Sequence, residues 1–136
     1  MLVIREEQMQ VFDSVSEANF ERRLAALVRE IQPELVSELD EDDLLACVRV
    51  GIERARGHGL DSEQSIGIFV GWMLEIAPNF DEQPNIRKVL TYPGLAPEQR
   101  LELVGRLATE EDWEEAAEMY NEDVWGPETA EDADEG

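Results

Sequence analysis

One histidine, one cysteine and 33 carboxylates are among the side chains of this 136-residue chain that could do acid–base, nucleophilic or metal chemistry. His58 stands between Gly57 and Gly59, where the spacing predicts a helix end. A satisfied or exposed turn residue is expected there, not a general base. Cys47 lies beside Ala46 and Val48 with no obvious activating neighbour, so a buried, inert thiol is expected. The run Asp40-Glu41-Asp42-Asp43 lacks the glycine and distal glutamate of a calcium loop. The acids Glu131, Asp132, Asp134 and Glu135 lack them too, and both runs read as solvated charge. No nucleophile elbow, phosphate-cradling glycine loop or zinc spacing is present. Carboxylates are so abundant that no one pair stands out as an acid and its base. The expectation is a binding protein with no catalytic residue, metal or cofactor.

The charge balance narrows what it would bind. Eleven Lys and Arg against 33 Asp and Glu leave a net charge of −22 and a pI near 4.1. Nucleic acid and anionic membrane surfaces are repelled by such a chain. The expected partner is a protein with a basic surface. The acids are concentrated late: residues 107–136 hold 13 of them and no base.

These residues must be positioned by a core, and the length suits a single one. Apolar residues make up 43% of the chain, enough to build it. The longest apolar stretch, Ser65 to Ala77, is interrupted by Glu75 and falls short of the roughly 20 residues of a spanning helix. The first residues show no basic segment followed by a long apolar run. A lone cysteine forms no internal disulfide, so the expected location is the cytoplasm.

Helical periodicity dominates and no stretch alternates like a half-buried strand. Glu6 to Phe12 reads as a short helix. Ser16 is the predicted N-cap of a helix whose stripe is Phe20, Leu24, Leu27, Val28 and Ile31, ended by Pro33. A second helix starts around Asp40 to Asp43 and runs through Leu44, Val48, Ile52 and Ala55 to Gly57 or Gly59. Asp61 or Ser62 caps a third, to about Ile76, apolar on nearly every side and so expected at the centre. Asn85 is the predicted cap of a short helix through Leu90, and Pro97 opens one carrying Leu101, Leu103, Val104 and Leu107. Thr109 and Asp112 form a short capping box for the last, with Trp113, Ala116, Ala117 and Tyr120 as its stripe. The expected fold is all-α: a single-domain bundle of about five to seven helices over residues 1–121. Residues 122–136 form an acidic tail expected to be disordered.

Gly67 and Gly71, four apart in the central helix, fit close helix packing inside the domain better than a dimer contact. Trp72 and Trp113 are expected in the core, although tryptophan also serves as an interface anchor. Trp125, alone in a polar segment, is the strongest anchor candidate.

The opening Val3-Ile4-Arg5-Glu6-Glu7-Gln8-Met9 with Phe12 resembles a group of small bacterial proteins encoded beside type VI secretion spike and PAAR-tip genes. The resemblance continues in Phe20-Glu21-Arg22-Arg23-Leu24, in Gly51-Ile52-Glu53-Arg54-Ala55 with Gly59-Leu60, and in Phe80-Asp81 before Pro84. It covers roughly residues 3–107. It departs where that group has a glycine before the Phe-Asp pair and an acid before the proline; here stand Ala77-Pro78-Asn79 and Gln83. The resemblance implies a co-adaptor that assists loading of a toxic effector, with the effector, its adaptor or a spike-tip component as partner. It offers no catalytic residues, and it marks Phe80 and Asp81 as characteristic. Trp72, Phe80, Asp81 and Trp125 are therefore the expected partner-binding residues. The alternative is an immunity protein that covers a basic toxin's active site; an enzyme working through carboxylates is the rival from another class.

Overall fold

The computed structural model describes residues 17–126. The predicted Glu6–Phe12 helix, the Ser16 cap and residues 127–136 of the predicted tail lie outside them. Among the described residues the bundle has six α-helices: α1 (Glu17–Ile31), α2 (Glu41–Gly57), α3 (Glu63–Glu75), α4 (Pro84–Leu90), α5 (Pro97–Leu107) and α6 (Glu110–Glu118). Three 3-10 turns, Pro33–Leu35, Phe80–Glu82 and Glu122–Trp125, join or extend them, and the described residues contain no strand. The all-α reading therefore holds.

Local chemistry sets the helix limits. Asp40 accepts a hydrogen bond from the Asp43 amide at 2.9 Å, satisfying one of the free N–H groups that start α2. At the other end the Leu60 amide reaches the Ala55 carbonyl and the Gly59 amide reaches that of Arg56. This is the Schellman arrangement, and it needs the left-handed backbone that Gly59 supplies at φ 90°. Ser62 caps α3 through the Ser65 amide at 3.1 Å. Thr109 and Asp112 cap α6 reciprocally, at 3.1 and 3.0 Å, as the sequence predicts. For α4 the expected cap is wrong. Gln83, not Asn85, accepts from the Ile86 amide at 2.9 Å, because Pro84 occupies the first helical position, where its fixed φ is already helical.

Helix α3 lies at the centre, with Ile66, Phe69, Val70, Trp72 and Met73 all buried. Against it run Leu44, Val48 and Ile52 of α2 and Phe20, Leu24 and Val28 of α1. Gly67 and Gly71 are buried in α3, and α2 approaches α3 closely at Gly51. A Cβ placed there would sit 2.8 Å from Val70 Cγ2. Arg23, mostly buried, donates to both oxygens of Glu63 at 2.8 and 3.0 Å, tying α1 to α3. The predicted stripe of α6 is only partly internal. Ala116 is buried and Trp113 half-buried, whereas Ala117 is exposed and Tyr120 lies beyond the helix, 52% exposed. Leu107 of α5, expected inside, is 58% exposed. No helix among the described residues is long and apolar enough to cross a membrane.

Candidate partner-binding groove

Two places gather functional side chains, and they differ in kind. The first is where the end of α2 meets the Phe80–Glu82 turn. Asp81 is 5% exposed and takes both prongs of the Arg54 guanidinium, Nε to Oδ2 at 2.9 Å and NH2 to Oδ1 at 2.8 Å. His58, held in place as the cap residue of α2, brings Nε2 to 2.8 Å from the same Oδ2. Glu82 adds a longer contact to Arg54, at 3.2 Å. Burial pushes the Asp81 carboxyl up, but hydrogen bonds from His58 and Arg54 and their charge outweigh it. The net result is a carboxyl below its ordinary range.

An aspartate orienting a histidine has the outline of a catalytic pair. The cleft beside it, about 420 Å³, is lined by Arg54, Gly57, His58, Asp81, Glu82, Arg87 and Thr91. Among the described lining residues Thr91 carries the only hydroxyl, and that hydroxyl donates to the Arg87 carbonyl at 2.8 Å. Phe69 flanks the imidazole, with ring centroids 5.2 Å apart. Arranged in this way, the cluster clamps the loop after α3 onto the end of α2. His58 is the satisfied turn residue that the sequence predicts.

The second place is a groove of about 640 Å³. It is assembled from the Pro33–Leu35 turn and the loop after it, the first half of α2, the end of α3, and Tyr120 with the Glu122–Trp125 turn. Leu35, Leu39, Met73, Leu74, Tyr120 and Trp125 supply apolar surface. Glu34, Glu38, Asp43 and Glu122 supply carboxylates, and its described lining contains no Lys or Arg. Trp125 donates its indole N–H to the Tyr120 hydroxyl at 3.1 Å, which joins two of the lining aromatics into one wall. Cys47 also borders the groove, and burial, helped by the Asp43 charge, raises its thiol to about 11. Its burial is as expected.

The four predicted partner-binding residues are not brought together as a surface. Trp72 is 5% exposed and packs edge-on against Phe80, itself fully buried, with centroids 5.7 Å apart. Asp81 is engaged in the clamp. Trp125 is 8% exposed because the Glu122–Trp125 turn folds back onto the body, so the packed chain continues past residue 121. Each of these side chains is held by its own fold, and of the four only Trp125 borders the groove. Sequence reasoning missed Glu34, Leu35, Glu38 and Leu39. A signal was there: an acid-leucine pair recurs four residues apart, at Glu34-Leu35 and Glu38-Leu39, in a segment too short for a helix.

No protein-family model, curated protein or solved structure matches the chain.

Proposed function

We propose that this protein is a stoichiometric binding partner of a basic protein, acting in the cytoplasm as a co-adaptor that assists loading of a type VI secretion effector. The observation that carries the binding reading is the groove, which sets apolar side chains beside carboxylates on a chain of net charge −22. Apolar contact supplies the affinity of such a surface, while complementary charge steers the partner and rejects wrong ones. The secretion role rests on the resemblance of the segments around Phe20, Gly51 and Phe80. Two of those segments meet through the Arg54–Asp81 clamp.

Deletion of the gene in the native host separates this reading from the immunity alternative. A co-adaptor's loss abolishes secretion of one effector and leaves resistance to sibling cells intact. Unchanged secretion together with sensitivity to siblings' toxin would replace it with the immunity reading.

A further inference from the structure

We infer that the groove between the Pro33–Leu35 turn, α2, the end of α3 and the Glu122–Trp125 turn takes a cationic amphipathic helix of another protein. Its leucine-like face would lie on Leu35, Leu39, Leu74 and Tyr120, with its Lys or Arg side chains against Glu34 and Glu38. The inference rests on the binding reading above and names the partner's chemistry.

Charge selects the occupant. Glu34, Glu38 and Glu122 bring three exposed carboxylates to the groove, and an acidic or neutral apolar segment would offer them no complementary charge. The same argument disfavours the chain's own ends. Residues 127–136 carry five acids and no base, and residues 1–16 carry three acids against Arg5 alone. A second copy is disfavoured too, because it adds another −22. The backbone selects the conformation. The described residues offer no strand edge with which an extended peptide could pair, so a segment buried here must satisfy its own N–H and C=O groups. A helix does so and presents anchors at i, i+3, i+4 and i+7. The groove's 640 Å³ is of the size that admits a few side chains, not an entire helix. The helix therefore lies across the groove with its apolar side chains inserted.

Calorimetric titration of the full chain with a synthetic helical peptide tests this. The peptide carries leucine at i, i+3, i+4 and i+7 and lysine elsewhere; a control replaces each lysine with glutamate. Saturable one-to-one binding of the lysine peptide alone, weakening with salt, is expected. Glu34→Lys with Glu38→Lys should weaken it about tenfold. Glu110→Lys with Glu111→Lys, the same change in charge on exposed positions of α6, should leave it within about twofold. The milder Glu34→Gln with Glu38→Gln gives the same ranking should the reversal disturb folding.

Equal losses from both pairs, or no saturable binding, would overturn the inference. So would a rise in peptide affinity when residues 1–16 are removed, which would make that segment the occupant. A dimer dispersed by the Glu34 and Glu38 changes would make it a second copy. The secretion reading stands or falls separately, on the deletion phenotype.

Discussion

Arg54 and Asp81, 27 residues apart in the chain, form a two-pronged ion pair that holds the loop after α3 against the end of α2. Asp81 is almost wholly buried, so the pair is shielded from the solvent screening that makes surface ion pairs weak. Removing one partner of such a pair strands the other's charge. Asp81→Asn should therefore cost about 2 kcal/mol in urea unfolding at neutral pH, the remaining Glu82 contact moderating the loss. A cycle with Arg54→Gln should return a coupling of about 1 kcal/mol or more; additive losses would show that the two act independently.

The same carboxyl makes acid stability informative. Its folded pKa is depressed, so its contribution is complete above the ordinary carboxylate range. That contribution is lost as pH falls through the lower folded value. Wild type and Asp81→Asn should thus differ most near neutrality and converge as pH falls below the ordinary carboxylate range. Melting temperatures recorded from pH 7 downward should narrow in that direction; a constant gap would assign the loss to packing.

Two glycines of α2 should respond with opposite signs to alanine. At Gly51 the new methyl meets Val70 Cγ2 at 2.8 Å and Cγ1 at 3.2 Å, and overpacking of that kind costs about 1–2 kcal/mol. At Gly57 nothing lies within 4 Å and φ is ordinary, so alanine should add about 0.5 kcal/mol through lower chain entropy and better helix propensity. Chemical unfolding of the two variants side by side reads both signs.

Truncation should locate the end of the packed chain. Stopping after Gly126 removes five acids and no base, and should leave the melting temperature unchanged or slightly higher. Stopping after Asn121 also removes buried Trp125 and its bond to Tyr120, and should cost about 3 kcal/mol. Equal stability of the two truncations would show that the last turn contributes nothing.

Cys47, 5% exposed with its thiol raised to about 11, should react with a disulfide reagent at pH 8 far more slowly than an unfolded-chain thiol. Labelling followed against urea should accelerate along the unfolding curve. Fast labelling of the native protein would mean that the groove wall opens locally.

What was legible in the sequence was what depends on neighbours in the chain. Asp40, Ser62 and Thr109 cap their helices through amides three residues on, and periodicity alone marks α3 as central. The start of α4 was misread because Gln83 and Asn85 flank Pro84 and both are able to cap; the proline decides between them. Pairings across the fold left no mark. Nothing near Asp81 in sequence announces Arg54, and the groove draws on four separate stretches of chain. Trp125 was misjudged because acidic composition outweighed one aromatic pair. Trp125 is buried there and bonded to Tyr120, Val124 packs beside it, and Asn79 accepts from the Asn121 amide.

The Glu122–Trp125 turn also ties the groove to its own docking. Tyr120, Glu122 and Trp125 form one of its walls, while Glu34, Leu35, Glu38 and Leu39 come from a stretch far earlier in the chain. A ligand that needs both walls binds only the form in which that turn is docked. Ligand binding and docking of the turn therefore stabilise each other, so a loosened turn weakens the ligand as surely as a lost contact does.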